Sequence, residues 1–275
     1  MRKLLKIELI KLLNYTSFRV IIGLHFVLFS LVVFVSSRIE ITVPGFDPSN
    51  LFRFPHIWSW FAWIASWFNL LLAILVITVT GNEFSFKTFR QHVIDGLERV
   101  ELLGGKLLVI MLIAIYGFLM VLLSGTVYGL IYTPGLEASL YFGSFQILLI
   151  YFLQTIAYMV IGLLIAVLLR NTALSIILFV LLRFPLEPIL RSFFSPAARP
   201  FFPMKVVGGL TPVPEFLSIS SENTFQTAGG SNALYLSEIG IVSQGLPLYL
   251  QLLLAAGYTI LFIFITAFIL KRRNL

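Results

Sequence analysis

Long apolar runs separated by short polar breaks dominate the chain. Runs at 20–37, 58–80, 107–132, 141–169, 173–190 and 248–270 are read as spans, since a bilayer core of ~30 Å takes about 20 helical residues. The fifth is the shortest in apolar terms, because Arg183 interrupts it after the stretch 173–182. The pattern predicts an all-α integral membrane protein with six transmembrane helices in a single domain over 1–275. Ahead of the first span, 1–19 mixes Arg2, Lys3, Lys6, Lys11 and Arg19 with leucines and isoleucines, as an interfacial helix would. Between the fifth and sixth spans, 191–247 is rich in Pro, Gly, Ser and Phe. Its prolines forbid one long helix, and Phe193, Phe194, Phe201 and Phe202 are too apolar for a solvated linker. Short helices dipping partly back into the outer leaflet fit that composition.

The strongest departure from the apolar pattern is 82–106, NEFSFKTFRQHVIDGLERVELLGGK, between the second and third spans. Read at about 100° per residue, Phe86, Phe89, Val93, Leu97 and Val100 share one arc, and Glu83, Lys87, Arg90, Gln91 and Glu98 face away from it. This predicts an amphipathic helix where membrane meets water, broken or kinked near Asp95-Gly96. A connector needs only a few polar residues. The length and charge of this one suit a docking surface for another protein, and a solvated helical loop is the plainer alternative.

Composition agrees with the pattern. The chain is 59% hydrophobic and 11% charged, against about 25% charged in soluble domains. The net charge of +7 does not indicate nucleic-acid binding, because the basic residues cluster at span ends. Cysteine is absent, which removes disulfides, thiolate metal sites and catalytic thiols. No signal-peptide pattern is expected: the apolar run behind the basic start has full span length and lacks a small-residue cleavage site.

Candidate chemistry is sparse. Gly104-Gly105-Lys106 is not a phosphate loop, since Leu107 stands where Ser or Thr would hold magnesium and Val100 where the first glycine belongs. No HExxH or GxSxG motif occurs, and His25, His56 and His92 are far apart, so no catalytic or metal site is assigned. Five of the spans lack an acidic residue, which disfavours ion-coupled transport. His25 reads as a packed residue. Trp58, Trp60, Trp63 and Trp67, all at the start of the second span, read as a headgroup-level anchor. Polar span residues such as Asn69, Gln154, Thr155 and Tyr158 either line a path or bond neighbouring helices. Arg183 stands within the outer half of the membrane, and Glu187, one turn on, would pair with it if Pro185 only kinks the helix. The plain reading is that Arg183 snorkels to the headgroups. The sharper one is an outer gate formed by Arg183 and Glu187.

Orientation follows from the basic residues. Of the 19 lysines and arginines, thirteen fall on the side of both termini and the 82–106 connector. The other six are Arg38, Arg53, Arg183, Arg191, Arg199 and Lys205. The positive-inside rule places both termini in the cytoplasm of a multi-pass protein of the cell (inner) membrane.

This layout resembles the membrane (permease) subunit of an ABC transporter of the type-2 exporter class, over essentially the whole chain. The likeness is concentrated in Asn82-Glu83-Phe84, Lys87-Thr88-Phe89-Arg90-Gln91, Asp95-Gly96, Arg99 and Lys106, with Lys87-Thr88 where Gly-Thr is more usual. The resemblance implies a coupling helix, built from Glu83, Phe84, Lys87, Thr88, Arg90, Gln91, Asp95, Gly96 and Arg99, seated in a cleft of a separate cytoplasmic ATP-binding subunit present in two copies. It implies a second permease subunit, identical or related, around one pathway. It implies no catalysis and no cofactor in this chain, with ATP and magnesium held by the partner. A membrane scaffold that uses an ATPase for mechanical work on the envelope needs the same coupling helix and stays open. A polytopic membrane enzyme would need a catalytic constellation. Lipid, peptide, antibiotic, ion and glycan remain open as substrates.

Overall fold

The computed structural model describes residues 2–38, 48–94, 96, 98–135, 137–211 and 246–272. Every regular element among them is helical, and six helices are long and apolar enough to cross a membrane. Helix α1 (Arg2–Asn14) leads through Tyr15 into α2 (Thr16–Ser36). Helix α3 (His56–Ser85) is followed by the short α4 (Thr88–Ile94), α5 (Arg99–Tyr132) and α6 (Ala138–Phe142). Helix α7 (Gln146–Leu169) meets α8 (Thr172–Leu181) at a tight turn in which Arg170 has φ +53° and the Asn171 side chain accepts from the Leu174 N–H. A π-helical turn, Leu182–Leu186, carries α8 into α9 (Glu187–Ser192). Helices α10 (Pro203–Gly208) and α11 (Leu248–Arg272) complete the described chain.

The helices run past the predicted spans. α3 continues to Ser85 where the apolar run stops at Thr80, and α5 begins at Arg99 where it starts at Leu107. Hydrocarbon length sets how much chain must be apolar, and it does not stop a helix from continuing where polar residues find partners. Residues 212–245 of the predicted 191–247 segment lie outside the described residues.

Helices α3 and α7 form the centre. Over their most apolar windows, 56% of the residues of α3 and 67% of the α6–α7 hairpin arm are buried, against 17% for α2, for α8–α9 and for α11. The last three therefore offer most of their surface to lipid or to other protein. The buried residues fall into two clusters along the bundle. One, at the aromatic end, gathers Phe29, Trp58, Phe61, Tyr151 and Phe179. The other gathers Leu12, Leu75, Phe89, Leu103, Leu163 and Leu270.

Trp58 is not a headgroup anchor. It is fully buried, donates its indole N–H to the Tyr141 carbonyl at 2.7 Å and packs against Phe54 and Phe145. Its helix is central, so Ile57 and Trp58 are covered even in the first turn. Gly125 of α5 makes room: a Cβ there would lie 2.6 Å from the indole edge. His25 is packed as expected, buried against Phe68 and Tyr116 with its Nδ1 3.3 Å from the Tyr116 hydroxyl.

A buried polar network links α3, α7 and the stretch through α10. Thr155 donates to Asn69 at 2.9 Å, and the Asn69 amide faces Gln154 at 3.4 Å. Gln154 Nε2 donates to the Val207 carbonyl at 2.9 Å and to the Thr211 hydroxyl at 3.0 Å. Asn69, Gln154 and Thr155 thus bond neighbouring helices, and they hold the stretch after α10 against α3 and α7. Substituting Gly125→Leu should destabilise the protein by about 1–3 kcal/mol, because the core at Trp58 cannot yield to an added side chain. The expected readout is a lower unfolding midpoint in detergent together with a shifted tryptophan emission.

Candidate functional site

The 82–106 stretch is not one amphipathic helix. Helix α3 ends at Ser85, Lys87 turns the chain at φ +55°, and α4 restarts the winding at Thr88. Gly96, at φ +94°, makes the second break, where a residue without a Cβ is favoured. Glu98 and Glu101 then form a capping box for α5, Glu98 N–H donating to Glu101 Oε2 at 3.0 Å. Because the helical phase is reset at Lys87, the predicted polar and apolar arcs do not hold across it.

Two corrections follow. Glu83, predicted on the wet face, is 2% exposed and belongs to the inner face of α3, whereas Phe86, predicted as an anchor, is 68% exposed. Phe89 is buried and stacks on Phe84 at 4.7 Å and 7°, and the Arg170 guanidinium lies 5.5 Å from the Phe84 ring centroid. Thr88 donates its hydroxyl to the Glu83 carbonyl at 3.2 Å. Lys87, Gln91 and Ile94 are exposed. Asp95 lies outside the described residues, as do the side chains of Arg90 and Val93. Arg99 faces elsewhere, donating to the Leu270 carbonyl at 3.1 Å and the Lys271 carbonyl at 2.8 Å, where it caps the last turn of α11.

The buried Glu83 has partners that sequence reasoning missed. Lys106, 2% exposed inside α5, donates to Glu83 Oε1 at 2.6 Å and to Glu8 Oε2 of α1 at 2.8 Å. Lys11 closes the cluster at 3.4 Å from Glu83 and 3.6 Å from Glu8. Two cations and two carboxylates thus tie α1, α3 and α5 together with no net charge. Tyr15 stands close by, its phenol pushed above the ordinary range by burial first and by the Glu83 charge second. The signal in the sequence was Glu8, an acid alone among the basic residues of the first helix, together with a lysine that begins an apolar run. Gly104-Gly105-Lys106 is plain helix, with no loop to cradle a phosphate.

Arg183 and Glu187 do not pair; no ion pair joins them among the described residues. The π-turn absorbs Pro185, and Glu187 instead accepts the backbone N–H groups of Met204 at 2.9 Å and Lys205 at 2.7 Å in the first turn of α10. Arg183 lies over the rings of Tyr158 and Phe184, 5.5 and 5.7 Å from their centroids. Both residues line one cavity of about 500 Å³ between α3, α7, α9 and α10. No group of three or more His, Cys, Asp or Glu able to hold a metal ion occurs among the described residues. The chain matches no protein-family model and no curated protein.

Lys106→Met should cost about 3–5 kcal/mol, because it leaves two carboxylates buried with only Lys11 beside them. Adding Glu8→Gln and Glu83→Gln should recover most of that loss, and unfolding midpoints of the single and triple variants in detergent check both expectations.

Proposed function

We propose that this chain is the permease subunit of an ATP-driven transporter of the type-2 ABC exporter class. On this reading both termini and α4 are cytoplasmic, α1 is an interfacial helix, and the stretch through α10 re-enters the membrane from the outer side. The observation that carries the reading is the mounting of α4. Gln91 and Ile94 of this short helix, with Phe86 and Lys87 of the turn before it, are exposed. Behind them, the Phe84–Phe89 stack and the Glu8–Lys106–Glu83 cluster fix it to α1, α3 and α5. An apolar and cationic tip on a rigid mount suits docking to a second protein whose motion must be passed on as a tilt of whole helices.

Within the predicted coupling set, Lys87 and Gln91 act in contact, with Arg90 beside them on α4. Glu83, Phe84 and Thr88 act in support, by holding the tip. Arg99 joins α11 to the same end. The partner is a cytoplasmic ATPase in two copies, and a second permease subunit, identical or related, completes the pathway. A scaffold doing mechanical work would need the mount but not a cavity among its central helices, and the cavity favours transport.

The test is purification of the tagged protein in mild detergent from its native membrane, with ATPase activity and phosphate-loop subunits followed in the eluate. A co-purifying ATPase that falls by at least about tenfold, the equivalent of about 1.4 kcal/mol, in a Lys87→Glu/Arg90→Glu variant with an unchanged unfolding midpoint is the expected result. A stable wild-type protein that retains no ATPase would overturn the reading.

A further inference from the structure

The cavity holding Arg183 lies about halfway along the two central helices, between Leu70 of α3 and Tyr158 of α7. Its charge is one-sided. Arg183, Arg191 and Lys205 line it with Glu187 as the one carboxylate among the described residues, and both oxygens of Glu187 are already engaged by the α10 backbone. The crowding registers on Lys205. Although the residue is exposed, its ammonium is held below the ordinary lysine range, by lost hydration first and then by Arg191 and Arg183.

Hydrogen-bond donors at this cavity lack acceptors. Tyr158, 3% exposed, has a buried hydroxyl with no partner among the described residues, and the buried Nε of Arg191 has none either. Arg183 lies against two aromatic rings and makes no hydrogen bond or ion pair among the described residues, so its N–H groups are available to an acceptor. Gly208 locates the meeting point: a Cβ there would lie 3.1 Å from the Tyr158 hydroxyl and 3.6 Å from Arg183 Nη2. Unmet buried donors are uncommon in folded proteins, and a set of them beside three cations describes the outline of an oxyanion.

The remaining wall is mostly apolar, with Ser66 and Thr211 among it. Trp63, Leu70 and Phe184 line it, and Trp67, 67% exposed, stands at its lip on the surface of the bundle. A volume of about 500 Å³ is the size of a small-ligand site and too small for a whole two-tailed lipid. A free, hydrated anion at this depth would lose its water without compensation for the apolar wall. A headgroup whose chain leaves past Trp67 and Phe184 into surrounding hydrocarbon meets both halves of the site.

We propose that this cavity is a binding site for an amphiphile with a phosphomonoester headgroup, its phosphate held by Arg183, Arg191, Lys205 and the Tyr158 hydroxyl and its chain lying along Trp67 and Phe184. A phosphomonoester carries close to two negative charges near neutral pH. That matches three cations against one carboxylate better than the single charge of a phosphodiester. The site is independent of the ATPase reading, since binding is a property of this chain alone.

The test is native mass spectrometry of the purified protein in non-ionic detergent, titrated with phosphatidic acid, phosphatidylglycerol or phosphatidylcholine of matched chains. Phosphatidic acid should be retained in preference to the other two by about tenfold or more. Arg183→Gln/Arg191→Gln should abolish the preference, and Gly208→Leu should block it by filling the meeting point. Tyr158→Phe keeps the packing and should weaken it by about three- to tenfold. Equal retention of the three lipids, or a preference that survives in folded Arg183→Gln/Arg191→Gln protein, would overturn the site. Displacement of phosphatidic acid by millimolar inorganic phosphate would overturn the amphiphile and assign the donors to a free anion.

Discussion

One lysine between two carboxylates sets the geometry of the charged end of this protein. Lys106 reaches Glu83 at 2.6 Å and Glu8 at 2.8 Å from a fully packed position, so three helices meet at a single ammonium. Apolar contacts between helices resist separation but tolerate sliding, since one methyl group replaces another at little cost. A buried ion cluster does not slide, because each step away leaves a charge without its counter-charge in a medium that solvates it poorly. The cluster therefore acts as a pivot more than as a source of stability. Lys11, at the rim, keeps it neutral and lets the first helix lie against the bundle end.

The six helices long and apolar enough to cross a membrane were legible in the sequence because a bilayer imposes a length and a composition that no other structure needs together. What lay at the span ends was less so. Glu83 and Lys106 look like connector charges when read along the chain, since they stand at the two ends of the 82–106 stretch, and only their meeting in three dimensions with Glu8 shows that they face inward. The phase of the connector was lost at Lys87. A left-handed lysine carries no sequence signature comparable to glycine, so a wheel drawn through it put Glu83 outside and Phe86 inside. Gly96, where the sequence does carry that signature, breaks the chain as expected. Trp58 was misread because interfacial preference is a property of tryptophan in general, whereas the centrality of α3 is a property of this packing.

The region after the fifth span shows the same division. Through residue 211 its prolines break it into short helices as expected, but the use of Glu187 could not be read from the one-turn spacing to Arg183. The π-turn at Pro185 rotates the helix, and the carboxylate is taken by two backbone N–H groups at the start of α10, seventeen and eighteen residues on. From the other side, Gln154 takes the Val207 carbonyl and the Thr211 hydroxyl. A short stretch with little helix of its own is thereby held at both ends by buried side chains. It forms a wall of the cavity that a loop governed only by its own propensities would leave open.

The two charged places in the molecule differ in how far they are satisfied, and that difference separates their roles. At the end of the bundle, lysines and carboxylates meet in equal number, and every ammonium and carboxylate has a partner within 3.6 Å. Nothing there calls for a ligand, and the cluster is best understood as part of the frame. In the cavity, by contrast, cations outnumber carboxylates three to one among the described residues, the carboxylate is already engaged, and a tyrosine hydroxyl and an arginine Nε are buried without acceptors among those residues. Such an excess is unfavourable for folding by itself, because like charges repel and unmet donors forfeit their water. Its place among the central helices is consistent with a site whose electrostatic balance is completed by something that enters. The first cluster fixes the end of α3 from which α4 follows, and Gln154 holds α10 to α7; α3 and α7 are the two central helices that also line the cavity.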